Sequence, residues 1–204
     1  MTCKLLLATN NQGKAREFRA LLPGIDFELV TPAEVGITTV VEETGTDYEE
    51  NARLKATVLA AESGLLSLAD DSGLEVDALG GGPGILSARY AGEGASDSDR
   101  VSYLLSKLSG VEWEKRTARF VCVIALATPA GDVAICEGEC HGIVSLEPKG
   151  EHGHGYDPVF YLPELGKTMA ELPLDVKNNV SHRGQAAARA RAVLSRPPFA
   201  CPVS

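Results

Sequence analysis

Asp70 and Asp71 stand side by side directly after the apolar run Leu65–Ala69 and ahead of Ser72-Gly73. Carboxylates at a strand end lie where α/β proteins tend to bind ligands. Adjacent like charges are unfavourable unless something positive faces them. A divalent cation is one answer, and a self-bonded Asx turn is another. Glu42-Glu43 supplies a second acidic pair, which either joins such a cation or favours the positive end of the helix that follows. Thr9-Asn10-Asn11-Gln12-Gly13-Lys14 is polar, follows an apolar strand and opens a helix, so its N–H groups and Lys14 suit a phosphate. It is not a Walker A loop, because it lacks the first glycine and the Ser/Thr after lysine. Read alone, it also resembles an ordinary strand-to-helix turn with a solvated lysine. Lys55, at the edge of a buried helical stripe, either snorkels or reaches a phosphate.

A second set of groups lies toward the C-terminus. Gly153-His154-Gly155-Tyr156-Asp157 joins flexible glycines to flat rings that can stack on a base. Lys177, His182 and Arg183 concentrate donors ahead of the last helix, where Ser181 is a good N-cap. Cations and backbone donors for phosphates, carboxylates for a metal, and planar groups for a base together describe a metal–nucleotide site.

These groups need elements to hold them. Lys4–Thr9, Phe27–Val30 and Leu65–Ala69 read as strands, with helices over about 14–22 and from Thr46-Asp47 to the stop at Gly64. Ser96–Leu108 reads as a third helix, and Thr117–Thr128 with Asp132–Ser145 as a long hairpin. Tyr156–Leu162 is expected to be a strand, and 184–194 the last helix. The expected fold class is α/β, a mixed β-sheet flanked by helices, as a single domain in two lobes. Lobe boundaries are expected near Ala78 and Pro163.

The chain has 204 residues, 44% hydrophobic and 23% charged, which is ordinary globular composition. A net charge of -9 argues against binding a nucleic acid polymer. The charge is uneven: after Glu171, Asp175 alone opposes Lys177, Arg183, Arg189, Arg191 and Arg196. No apolar run approaches the ~20 residues that span a bilayer. Cys3, Cys122, Cys136, Cys140 and Cys201 are scattered, and a reduced cytoplasmic thiol set is expected. Cys136, Cys140 and His141 lack a second pair of zinc ligands, so buried thiols are expected there.

In six blocks the sequence resembles the inosine triphosphate pyrophosphatase family, essentially end to end. They are Ala8–Lys14, Glu42–Ala56, Ala69–Leu74, Pro83–Tyr90, Gly153–Phe160 and Ser181–Ala186. The resemblance implies an elongated mixed α/β fold with the site in a cleft between two lobes, a homodimer, and Mg2+-dependent hydrolysis of ITP, dITP or XTP to monophosphate and pyrophosphate. By motif, Thr9–Lys14 would hold the triphosphate with Lys55 assisting. Glu43 and Asp71 would hold Mg2+, Asp71 also activating water, with Asp70 and Glu42 close behind. Ser72 would touch substrate, while His154, Gly155, Tyr156, Asp157, Lys177, His182 and Arg183 would enclose base and sugar. His154 occupies a position where the family carries Phe or Trp, so stacking there is weaker, and Asn10 replaces a common glycine. A non-catalytic nucleotide sensor, or a kinase or nucleotidyltransferase, are the competing classes.

Overall fold

The computed structural model describes residues 3–201. Its strands are β1 (Cys3–Leu7), β2 (Phe27–Val30), β3 (Leu66–Val76), β4 (Thr117–Ala127), β5 (Val133–Val144), β6 (Phe160–Leu162) and β7 (Lys167–Thr168). Its helices are α1 (Gln12–Leu21), α2 (Tyr48–Ser63), α3 (Asp97–Lys107), α4 (Leu174–Val180) and α5 (His182–Leu194). The strands form one sheet in the order β2-β1-β3-β4-β5-β6-β7. β1 pairs in parallel with β2 (Leu5 opposite Leu29) and with β3 (Leu6 opposite Ser67). β5, β6 and β7 pair antiparallel, so the sheet is mixed and the α/β expectation is met.

Contacts divide the chain into two compact units. One holds residues up to Asp71, Cys122–Gly138 and residues from Arg183 onward; the other holds Ser72–Val121 and Glu139–His182. The crossings fall inside β3, β4 and β5 and at the α4–α5 junction, not in linkers near Ala78 and Pro163. A hydrogen-bonded strand can serve two cores at once, so composition leaves no boundary signal there.

In the first unit, Leu5, Leu7, Leu68, Ile124 and Leu126 pack against Phe18 and Leu22 and against Ala186, Ala187 and Ala190 of α5. The alanines let α5 lie close to the sheet. In the second unit, Leu104 and Leu108 cover Leu74, Val76, Phe120, Val159, Phe160 and Met169. Helix ends follow local chemistry: Asp47 caps α2 by accepting from Glu50 N–H at 2.8 Å, and Ser96 forms a capping box with Asp99.

Several expectations need correction. β3 does not stop at Ala69 but runs through Asp70-Asp71-Ser72-Gly73 to Val76, because the fully buried Leu74 and Val76 carry it into the second unit's core. α1 starts at Gln12, two residues early, since Asn11 is its cap. Only Phe160–Leu162 of the expected Tyr156–Leu162 strand pairs, because Asp157-Pro158-Val159 form a tight 3-10 turn. The segment before the last helix contains α4, and α5 begins at His182 rather than Gly184.

The cysteines are not all reduced. Cys3 at the start of β1 and Cys201 meet with Cα atoms 5.8 Å apart and form a disulfide, a tertiary meeting that spacing along the chain does not reveal. Cys122, Cys136 and Cys140 are buried free thiols, as expected. Burial pushes the Cys122 thiol up to about 12 and that of Cys140 up to about 11, which leaves both unreactive at neutral pH.

Candidate active site

The pleat of β3 sorts the two aspartates. Successive side chains of a strand point to opposite faces, so Asp70 turns toward α1 and α5 while Asp71 turns toward α2. On its side Asp70 Oδ2 lies 3.0 Å from Lys14 Nζ and 3.6 Å from Arg183 Nε. Arg183 in turn donates through Nη1 to Glu17 Oε2 at 2.5 Å. Burial alone would raise the Asp70 carboxyl, but Lys14, then Arg183 and Lys55, hold it well below the usual carboxylate range. The adjacent like charges are thus eased by pointing to opposite faces and by bases on both sides, with Lys14 and Lys55 acting on both carboxyls.

Asp71 meets different partners. Its Oδ2 accepts from Asn51 Nδ2 at 3.0 Å, and its Oδ1 lies 3.9 Å from Lys55 Nζ. Lys55 Nζ also donates to Glu43 Oε1 at 2.6 Å and to the Asp70 carbonyl at 2.7 Å. Burial, with help from the nearby Glu43 charge, raises Asp71 above its ordinary value although Lys55 and Asn51 oppose this. Burial would lower Lys55, but Asp70, Asp71 and Glu43 together raise it. Glu43 and Asp71 therefore turn toward one common positive charge. Among the described residues no cluster of three or more His, Cys, Asp or Glu could hold a metal. Two carboxylates are nevertheless the usual protein share for Mg2+, which keeps waters and substrate phosphates as its other ligands. The donor set fits. Glu42 is exposed and Asp70 faces elsewhere.

The Thr9–Lys14 loop is more self-contained than expected. Asn11 Oδ1 accepts from Gly13 N–H at 2.8 Å and Lys14 N–H at 3.2 Å, and Asn11 N–H donates to Thr9 Oγ1 at 3.1 Å. Asn10, Asn11 and Gln12 are exposed. Those N–H groups are engaged inside the loop, which leaves the exposed Asn10 and Gln12 amides and the Lys14 ammonium to meet an anion.

The other predicted residues lie in the second unit. Asp157 is 3% exposed; its Oδ2 accepts from His154 N–H at 2.9 Å and from Lys177 Nζ at 2.7 Å. Gly153 sits at φ +82°, and a Cβ there would fall 2.1 Å from Asp157 Oδ2, so only glycine fits that close approach. Gly155 N–H donates to Asp97 Oδ2 at 2.6 Å. The Tyr156 hydroxyl donates to the Ser87 carbonyl at 2.9 Å, and burial pushes that phenol up. His182 stacks on Phe120 with ring centres 4.6 Å apart and a 16° tilt. Ser72 is half-buried on β3. Asn51, Glu17 and Asp97 were not singled out from sequence. Asn51 alone carried a readable signal, a polar amide inside the apolar stripe of α2.

Residues 5–193 match the sequence pattern of the Ham1 family. The chain belongs to that family. Relatives named dITP/XTP pyrophosphatase include that of Desulforamulus reducens, 50% identical over 193 residues (95% of this chain, 96% of the relative). Another, from Geobacter sulfurreducens, is 52% identical over 185 residues (91% and 93%). A solved Ham1 protein from Coxiella burnetii superposes with a TM-score of 0.86 at 40% identity, covering 95% of this chain and 98% of that one. The Staphylococcus aureus Ham1 protein gives 0.85 at 43% identity, covering 94% and 98%. The sheet of this Ham1-family chain is thus the family's sheet, and the resemblance read from the six blocks stands.

Proposed function

We propose that this chain hydrolyses non-standard purine nucleoside triphosphates (ITP, dITP and XTP) to the monophosphate and pyrophosphate, using Mg2+. The observation that carries the reading is the convergence of Glu43 and Asp71 on one positive charge, with Lys14 of α1 paired to the adjacent Asp70. Glu43 and Asp71 would hold the metal, which when bound supplies positive charge to the polyphosphate. Asp71, held by Asn51 through Oδ2, would take the proton from the attacking water. Burial and the Glu43 charge raise this carboxyl above the ordinary aspartate range. Water attacks the α-phosphorus, the bond to the bridging oxygen breaks, and pyrophosphate leaves; Lys14 and Lys55 offset its charge. Thr9–Lys14 holds the phosphates. Ser72 contacts substrate, and His154, Gly155, Tyr156, Asp157, Lys177, His182 and Arg183 take the base and sugar, Asp157 and Lys177 by keeping their loop in shape.

Selectivity has a simple basis. Hypoxanthine and xanthine present an acceptor at C6, whereas adenine presents an amino donor, so donors matched to the oxo group are left unpaired by ATP. The family's homodimeric state and work in the cytoplasm belong to the same proposal; among the described residues no helix is long and apolar enough to cross a membrane. A pyrophosphate-release assay across ITP, XTP, dITP, GTP and ATP, with and without Mg2+, tests it. A sensor would bind without release, and a kinase or nucleotidyltransferase would give no pyrophosphate from nucleotide and water alone.

Two variants refine the reading. Lys14→Ala is expected to lower kcat/KM by about tenfold or more, the scale of one charged hydrogen bond, through both a higher KM and a lower kcat. A change in melting temperature alone would remove Lys14 from the phosphate site. His154→Phe is expected to leave KM for ITP unchanged or lower. A large rise would mean that the imidazole makes a polar contact rather than a stacking one.

A further inference from the structure

We propose that Asn51 is a positioning residue that sets the spacing of Glu43 and Asp71, and through it the affinity of this pair for a divalent cation. The proposal rests on the reading of those two carboxylates as metal ligands. Asn51 lies within α2 and is 2% exposed, a place where an amide needs a specific reason to be. Its two ends serve different elements. Nδ2 donates to Asp71 Oδ2 at 3.0 Å, while Oδ1 accepts from Gly45 N–H at 2.8 Å. The backbone N–H can only donate and an ionised carboxylate can only accept, so the two partners define which end of the amide is which.

Gly45 is two residues beyond Glu43, so this bond moors the acidic loop to α2. The approach is close: a Cβ on Gly45 would lie 2.7 Å from Asn51 Oδ1 and 2.7 Å from Glu50 Cβ. Thr46 is tied down as well, its N–H donating to Glu50 Oε2 at 2.7 Å. One planar amide therefore joins the loop that carries Glu43 to the strand that carries Asp71. It also occupies Asp71 Oδ2 and leaves Oδ1 on the side of Lys55 and Glu43. Serine would be too short to span both partners, and leucine would offer neither bond.

The test is Mn2+ binding to the nucleotide-free protein, followed by electron paramagnetic resonance, for wild type, Asn51→Ala and Gly45→Ala. Both variants are expected to bind Mn2+ about tenfold or more weakly, the usual effect of removing a group that orients metal ligands. Both are expected to need more Mg2+ for half-maximal pyrophosphate release, with most of kcat recovered at saturating Mg2+. Melting curves without metal identify the folded material, and Gly45→Ala breaks the link from its other end should Asn51→Ala fold poorly. Folded variants with wild-type Mn2+ affinity would overturn the role of Asn51. Wild-type protein that binds no Mn2+, or binding indifferent to Glu43→Gln and Asp71→Asn, would overturn the metal-site reading on which it rests.

Discussion

Asp71→Asn is expected to lower kcat for pyrophosphate release by about a thousandfold, within the range for loss of a general base. The amide has the same shape but neither takes a proton from water nor adds negative charge toward a cation. The fold should not suffer. The ionised carboxylate of Asp71 is disfavoured by burial and by Glu43, so a neutral group relieves both, and Lys55 keeps Glu43 and the Asp70 carbonyl. A melting temperature equal to or above wild type is therefore expected, with ITP binding largely retained in calorimetry. Turnover near wild type would remove Asp71 from the mechanism. Asp70→Asn should behave in the opposite way. Asp70 is ionised and stabilised by its bases in the folded state, so its contribution is present above the ordinary aspartate range and is lost as pH falls.

Lys177→Met should unfold the second unit more readily than any surface change. Lys177 and Asp157 are a buried ion pair, their side chains 7% and 4% exposed. Removing one member leaves a buried charge without its counterion, which typically costs about 3–5 kcal/mol. For a chain of this size that is a fall in melting temperature of roughly 6–20 °C. Adding Asp157→Asn to Lys177→Met should recover part of the loss, because the stranded carboxylate is then gone. A single variant melting within about 2 °C of wild type would show that the pair does not carry the loop. The same variant should also impair turnover, since Asp157 holds His154 N–H and, through the turn, the shape of the Gly153–Tyr156 segment.

What could be read from the residues depended on how local the physics was. The α2 boundaries were legible because Asp47 and Gly64 act within one turn of the helix they bound. β3 was harder: Asp-Asp-Ser-Gly is turn chemistry, and only the bases on either face make it tolerable inside a strand. α4 was hidden in a segment rich in donors, although Pro173 immediately before Leu174 marks a helix start. The site residues were found as types, from carboxylates, lysines and a glycine loop. Their division was not: nothing in Asp70-Asp71 says that one serves Lys14 and Arg183 and the other Asn51 and Lys55. Asn51 is hard to read from sequence because its meaning lies in two partners, Gly45 and Asp71, from different parts of the chain.

The Cys3–Cys201 bond has a consequence of its own. It turns an open chain into a covalent ring whose closure spans 198 positions of sequence. A protease that cuts one exposed loop inside that ring linearises the molecule without releasing a fragment. On a gel the nicked protein runs as one species until a thiol reductant divides it in two. The unfolded ring is also smaller than the open chain and has fewer conformations, so reduction should lower the unfolding free energy by about 5 kcal/mol on the chain-entropy account. The reducing power of its surroundings thus becomes a variable in this protein's stability, although neither sulfur belongs to its proposed chemistry.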